Sequence, residues 1–171
     1  MKRVIACFCS LLLLSACVLL PRKSSEINWP EKLTYMEAAC ELDMAWKGTD
    51  YSGAMSLTIE YPQKLQFEVY GPFGDTIVYL KKEGGAFLLL AGDERYTDEK
   101  AFEEKFGIRL NQFMEDIAFR GSGEMHGPET PVMRDGYKVL YDLKGTSNRI
   151  CWVGAQGRIC VTFLEARFSK E

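Results

Sequence analysis

The stretch Met55–Val69, MSLTIEYPQKLQFEV, alternates apolar and polar residues on both sides of a short linker. Successive side chains of a β-strand point to opposite faces, so this period of two predicts two strands that are each buried on one face. Pro62-Gln63 is short enough to join neighbouring antiparallel strands. The stretch therefore predicts a meander of half-buried strands.

The same alternation, or a short apolar run, recurs along most of the chain. Strands are predicted at residues 40–47, 52–60, 65–70, 76–82, 86–91, 137–143, 150–153 and 158–168. The run at 86–91 is apolar throughout, which is typical of a strand covered on both faces. We therefore expect about eight strands, with residues 86–91 at a central position in the sheet.

A first helix is predicted after residue 96, where the period of the apolar residues changes. Thr97 is suited to the N-cap, and Asp98 and Glu99 to the first turn, where a negative charge is favoured. Phe102 and Phe106 lie four residues apart on one helical face, and Gly107 is suited to ending the helix.

A second helix is predicted from about Asn111 to Arg120, with Gly121 as its stop signal. Phe113, Met114 and Ile117 form its apolar side. The predicted fold class is therefore α+β, with an antiparallel sheet and two short helices between its fifth and sixth strands.

The N-terminus has the features of an export signal. Two basic residues precede an apolar run, Val4–Leu14, that is too short to span a bilayer as a helix. Leu14-Ser15-Ala16-Cys17 follows and resembles the bacterial lipobox, in which the cysteine is diacylated; an ordinary signal peptide containing a cysteine is the alternative. We expect a signal peptide at 1–16, lipid on Cys17, a lipid-anchored tether at 17–30 and a single domain at 31–171.

The charge balance argues against a nucleic-acid partner. Removal of residues 1–16 takes away two positive charges and changes the formal net charge from −3 to −5. A mildly acidic chain with no basic block is a poor ligand for nucleic acid. No second apolar run approaches the length of a membrane span.

Three cysteines lie in the predicted domain, namely Cys40, Cys151 and Cys160. A hairpin centred on Ala155-Gln156 would place Cys151 directly opposite Cys160 as a non-hydrogen-bonded pair, with Cα atoms close to disulfide range. A Cys151–Cys160 bridge and two free thiols are both open at this point.

Catalytic motifs are missing from the sequence. The single histidine, His126, lies in a loop sequence near glutamates, and no nucleophile elbow, phosphate loop or metal-ligand spacing accompanies it. Glu115 and Asp116 are adjacent on a helix and so point in different directions. We predict no catalytic residue, no metal and no cofactor.

Many apolar residues are predicted to lie on one face of the sheet. The residues predicted to share it, with those of the two helices that would cover it, are Leu42, Met44, Trp46, Met55, Leu57, Ile59, Leu65, Phe67, Val69, Phe102, Phe106, Phe113 and Ile117. Helices that fill such a sheet only in part would leave an apolar cavity suited to lipid chains, and a plain filled core is the alternative.

The turn Gly71-Pro72-Phe73-Gly74 places a phenylalanine where a polar or small residue is usual. Proline presets the turn geometry, and a Pro-x-Gly turn carries its central side chain outward from the hairpin. We expect Phe73 to be an exposed tip. The alternative is that the turn folds back and Phe73 plugs the end of the sheet.

The region from about Ala39 to Gly121 resembles LolB, the outer-membrane lipoprotein receptor family. The resemblance is carried by the lipobox cysteine, the Gly71–Gly74 turn after alternating strands, Arg95-Tyr96-Thr97 before the first helix, and FGIRLNQFMEDIAFRG at Phe106–Gly121. It implies a curved antiparallel sheet, a half-open β-barrel, with a two-helix lid over an apolar cavity. It also implies a membrane-insertion tip at Phe73 and Pro72.

The same resemblance implies a function without catalysis. Members accept acylated lipoproteins from the periplasmic carrier LolA and insert them into the outer membrane. Val18 after Cys17 agrees with outer-membrane sorting, so we expect a lipid-anchored, periplasm-facing monomer whose partners are a LolA-like carrier, acylated lipoproteins and outer-membrane lipid. The alternative is a lipid-anchored binding protein or scaffold for another hydrophobic ligand in envelope assembly.

Overall fold

The computed structural model describes residues 26–119 and 131–169. In that part of the chain it has ten strands and two helices. They are β1 (Tyr35–Trp46), β2 (Thr49–Glu60), β3 (Lys64–Tyr70), β4 (Thr76–Glu83), β5 (Ala86–Ala91), β6 (Glu94–Tyr96), α1 (Glu99–Phe106), α2 (Leu110–Ile117), β7 (Val132–Met133), β8 (Tyr137–Asp142), β9 (Arg149–Gly154) and β10 (Gly157–Arg167).

The strands form one antiparallel sheet in the order β6-β5-β4-β3-β2-β1-β10-β9-β8-β7. The first six strands follow one another outward from β1, and the last four follow one another outward from β10 on its other side. The β1–β10 pair joins the two halves, and the sheet is open because β6 and β7 are its two edges. An antiparallel sheet with two helices is thus confirmed, with two more strands than expected.

The core lies on one face of the sheet, which we call the inner face. Cys40 pairs with Met55, and Met55 pairs with Val69, so the three side chains share that face. All three are at most 6 % exposed. The alternation read from the sequence is confirmed for β1, β2 and β3.

The expected central position of residues 86–91 is wrong. β5 lies next to the three-residue edge strand β6. Phe87 and Leu89 are buried on the inner face, whereas Leu90 points to the other side and is 39 % exposed. The run is apolar on both faces, but the core covers only one of them.

The helix ends differ slightly from those predicted. Asp98, not Thr97, is the N-cap of α1, and its carboxylate accepts a hydrogen bond of 3.0 Å from the backbone of Lys100. Gly107 ends α1 at φ +70°, a left-handed conformation that glycine adopts without strain. α2 ends at Ile117, three residues earlier than predicted, and Gly121 lies outside the described residues.

The segment expected to be tether contains core residues. Ile27 is buried, and the Trp29 ring lies 4.9 Å from that of Phe163. The Trp29 indole also donates to the Asn148 side chain at 3.1 Å. The packed domain therefore begins before residue 30, because apolar side chains in this segment find partners on β10.

Several expectations fall outside the described residues: the signal peptide at 1–16, lipid on Cys17, most of the tether, and the loop with His126. Among the residues that are described, no helix is long and apolar enough to cross a membrane.

Candidate functional site

The candidate site is the inner face together with the two helices that lie against it. Twelve of the thirteen residues predicted to line a cavity belong to one apolar cluster or pack against it. Trp46 is the exception: it is buried on the same face, and its indole N–H finds no hydrogen-bond partner within residues 26–119 and 131–169. The structure brings the predicted residues together, mostly as buried core.

α1 packs against the N-terminal half of the sheet. The ring of Phe102 lies 5.6 Å from that of Phe87 on β5, and the ring of Phe106 lies 6.4 Å from that of Tyr96 on β6. Phe102 is the buried residue of this helix, and Phe106 is half-buried. The apolar attachment of α1 thus rests on two aromatic side chains.

A buried lysine meets the first turn of α1. Lys82, on β4, is 7 % exposed, and its ammonium group forms an ion pair with the Glu99 carboxylate. A charge that leaves water is tolerated when it is paired, so Glu99 compensates Lys82. Sequence analysis did not single out Lys82, although the alternation Val78, Leu80, Lys82 places it on the inner face.

The last turn of α1 is held by Lys105. Its ammonium group lies 2.8 Å from the Glu94 carboxylate and 4.8 Å from the centre of the Tyr96 ring. It also contacts the Tyr96 hydroxyl, and the Lys47 ammonium donates to the Lys105 carbonyl. Lys105 and Glu94 are both largely exposed, so water and salt screen their attraction.

α2 is anchored to the C-terminal half of the sheet by Asp116, which is fully buried. One carboxylate oxygen accepts two bonds from the Arg134 guanidinium, at 2.8 Å from Nε and 2.7 Å from Nη2. The other accepts from the Tyr137 hydroxyl and the Trp152 indole, each at 3.0 Å. The Tyr141 hydroxyl donates to the Asp116 carbonyl at 2.9 Å.

These donors satisfy the hydrogen-bonding capacity of the Asp116 carboxylate, which would otherwise be costly to bury. Burial raises the pKa of Asp116, while the bonds from Arg134, Trp152 and Tyr137 oppose that rise. Burial and the nearby Asp116 raise the pKa of Tyr137. The hydroxyl therefore stays protonated at neutral pH and keeps donating.

Sequence reasoning missed Asp116 because it treated the residue as half of an adjacent acidic pair. The available signal was helical spacing. Asp116 follows Phe113 by three residues and precedes Ile117, which places it within the apolar stripe of α2. The Phe113 ring lies 4.5 Å from that of Trp152, so the stripe and the carboxylate meet the same strand.

Phe73 protrudes from the turn between β3 and β4. The turn is closed by hydrogen bonds from Gly74 to the Gly71 carbonyl at 3.0 Å and from Gly71 to the Asp75 carbonyl at 2.7 Å. The Phe73 side chain is 96 % exposed, and Pro72 is exposed beside it. The expected exposure is confirmed, and the ring does not plug the end of the sheet.

The Phe73 turn and the end of α1 lie at the same end of the sheet, which we call the tip end. β1 and β3 run in the same direction, so both finish there. The turn between β9 and β10 is also there, and its Gln156 side chain lies against Gly107 at the end of α1. The N-terminal turn of α1, held by Lys82, faces the opposite end.

The structure contains the Cys151–Cys160 disulfide, between directly opposed residues of β9 and β10 whose Cα atoms are 4.1 Å apart. Cys160 lies level with Asp43 on the outer face, away from the candidate site. Cys40 is free and buried on the inner face, and burial raises the pKa of its thiol. The bridge therefore fixes a hairpin without entering the apolar cluster.

A groove of about 400 Å³ crosses the outer face over β2, β1 and β10. Its lining is mixed, with Glu37, Glu165 and Arg167 beside small residues such as Ala39 and Ser56. Within residues 26–119 and 131–169, no group of three histidine, cysteine or acidic side chains could hold a metal ion. The chemistry of the inner face is thus apolar packing with two buried charged clusters.

Comparison with known proteins finds no matching family model and no matching curated protein.

Proposed function

We propose that the protein is a lipid-anchored receptor of the bacterial outer membrane that faces the periplasm. In this proposal it accepts acylated lipoproteins from a LolA-like carrier and inserts them into that membrane as a monomer. The open sheet is a half-open β-barrel, the two helices are its lid, and the inner face is the wall of an acyl-chain cavity. No catalytic residue or cofactor takes part.

The chemistry of the inner face supports this proposal. Exposing an acyl chain to water costs ~0.8 kcal/mol per CH₂ group, so a lipoprotein anchor cannot cross the periplasm unshielded. A sheet face lined by leucine, methionine and aromatic side chains offers an adaptable apolar shelter. Lipid on Cys17 would hold that shelter close to the receiving bilayer.

The observation that carries the proposal is the exposure of Phe73. The ring stands nearly fully exposed on a hydrogen-bonded turn, so it adds little to the packing of the described part of the domain. Full burial of such a ring in a bilayer is worth about 1.5–3 kcal/mol, and less at the interface. That is enough to favour docking of the tip end once an anchor has brought the domain near the membrane.

A second candidate function is binding of another hydrophobic ligand by a lipid-anchored protein. The observation that favours it is the Lys82–Glu99 pair, because a neutral acyl anchor has no use for a cation on the inner face. This candidate keeps the fold and the anchor and changes the cargo.

The test replaces Phe73 with glutamate and uses Met133→Glu as the matched control. Met133 is 71 % exposed and lies on the edge strand β7, which five strands of the sheet separate from β3 and its Phe73 turn. Each variant is assayed for the transfer of a carrier-bound lipoprotein to membranes and for its melting temperature. We expect Phe73→Glu to impair transfer with an unchanged melting temperature, and Met133→Glu to change neither.

Two results would overturn the proposal. Normal transfer by Phe73→Glu would remove the membrane role of the tip. Equal impairment of transfer by Met133→Glu would show that any added surface charge has the same effect. Transfer would then not depend on Phe73 in particular.

A further inference from the structure

Lys82 has an unusual position for a lysine. It pairs with Leu65 on β3 and with Phe87 on β5, and both neighbours are buried on the inner face. The side chain therefore lies among apolar residues and not over the outer surface. Lysine is rarely so buried unless its charge has a use or a partner.

The partner of Lys82 comes from a helix, not from the sheet. Glu99 lies in the first turn of α1, and its carboxylate makes the ion pair with Lys82. Replacing a buried ion pair by apolar residues is often neutral or stabilising, so the pair is poorly explained by stability alone. If α1 leaves, Lys82 loses the Glu99 carboxylate and becomes a cation on an open apolar face, where an anionic group can pair with it.

α1 is attached to the sheet by fewer buried side chains than α2. It buries one, that of Phe102. The side-chain ion pair of its last turn, between Lys105 and Glu94, is exposed and lies beside the contact of the Phe106 and Tyr96 rings. α2, by contrast, buries four residues and is held by Asp116.

We propose that the inner face beneath α1 is a binding site for an amphiphile with an acyl chain and a single anionic group. Lys82 binds the carboxylate or phosphate of the ligand in place of Glu99. The acyl chain takes the place of Phe102 and Phe106 against Phe87 and Tyr96. Without ligand, α1 thus fills the site itself. Its Glu99 carboxylate takes the position of the ligand's anionic group, and its two phenylalanine rings take the position of the acyl chain.

This inference goes beyond lipoprotein transfer, because the triacylated N-terminus of a lipoprotein carries no anionic group at the lipid. A fatty acid and a lysophospholipid both carry the required chemistry. They differ in the anion, so probes of each kind distinguish the two sources.

The test measures fluorescent-probe binding to the chain from Val18 onward, which contains every described residue. The anionic probes are a dansyl-labelled fatty acid and a labelled lysophosphatidic acid. Their neutral counterparts are the fatty-acid methyl ester and the monoacylglycerol. Each affinity is expressed as the ratio of anionic to neutral probe, which cancels the contribution of the apolar chain.

Two variants should move this ratio in opposite directions. Lys82→Met keeps the apolar stem and removes the charge, and we expect the ratio to fall about tenfold, the loss of one charge-assisted contact. Glu99→Gln removes the internal competitor, and we expect the ratio to rise. Lys81→Met is the matched control, since Lys81 lies on the outer face in an exposed pair with Glu83.

The inference is overturned if Lys82→Met and Lys81→Met give the same ratio as the unaltered chain, or if Glu99→Gln leaves the ratio unchanged. It is also overturned if no anionic probe binds. If Lys82→Met does not fold, the change in the affinity ratio of Glu99→Gln alone tests the inference. Lipoprotein transfer is measured separately with Phe73→Glu, so either idea can fail without the other.

Discussion

The two helices follow each other closely in the chain, yet they are attached to the sheet in different ways. α1 meets the N-terminal half through aromatic rings and ion pairs, of which the Lys105–Glu94 pair is exposed. α2 meets the C-terminal half through a fully buried carboxylate with three side-chain donors. Gly107 ends α1, and α2 begins three residues later at Leu110.

The difference indicates that one helix is held more firmly than the other. Local opening is easiest where few apolar contacts and exposed polar contacts hold an element. The Asp116 cluster makes α2 part of the core. From these contacts we expect α1 to open more easily than α2.

The largest expected effect is that of Asp116→Ala. The substitution removes the carboxylate that accepts hydrogen bonds from Arg134, Tyr137 and Trp152. Removal of one partner from a buried charged network costs about 3–5 kcal/mol. For a domain of this size the melting temperature should fall on the order of 10 °C.

Asp135→Ala is the matched control for that experiment. Asp135 pairs with Arg109 at 3.3 Å, but both side chains are largely exposed. Its melting temperature should stay close to that of the unaltered protein. Equal effects of the two substitutions would contradict the anchoring role of Asp116.

The next largest effects are those of truncating one buried apolar side chain on each helix, and we expect the two losses in the free energy of unfolding to differ. Met114→Ala removes a side chain of α2 that is 1 % exposed, and we expect a loss of about 2–5 kcal/mol in the free energy of unfolding. Phe102→Ala removes a larger side chain from α1, yet we expect it to cost less, about 2 kcal/mol or below, because α1 can detach from an otherwise intact sheet. Denaturant unfolding measures both values. A larger loss for Phe102→Ala would refute the difference between the helices.

The smallest effect is that of Glu94→Gln. The exposed pair with Lys105 contributes little to global stability, so the melting temperature should not change measurably. Hydrogen exchange is the sharper readout. Amides of α1 should exchange faster than those of α2 in the unaltered protein, and about two- to threefold faster still in Glu94→Gln. A common exchange rate for both helices would show that they open together.

Much of the sheet could be predicted from the sequence because half-buried strands have a period of two. Met55, Leu57 and Ile59 on β2 show that pattern and lie on the inner face as expected. The Pro-x-Gly turn likewise predicted an exposed Phe73, since local turn geometry decides where that side chain points. These features depend on residues close together in the chain.

Features that depend on distant partners could not be read in the same way. Asp116 is a buried anchor because Arg134, in the turn after β7, and Trp152, on β9, reach it from distant parts of the sequence. Residues 86–91 are apolar on both faces, and only the sheet order reveals that one face stays uncovered. Lys82 occupies an inner-face position of β4, where the alternation predicts an apolar residue, and a lysine at such a position is normally assigned to the surface.

The most direct test of the proposed function is depletion of the protein from the cells that make it. Soluble, acylated lipoproteins bound to their periplasmic carrier are then counted. The proposal predicts that they accumulate in the periplasm and that lipoproteins become scarce in the outer membrane. Normal delivery to the outer membrane, with no periplasmic accumulation, would contradict it.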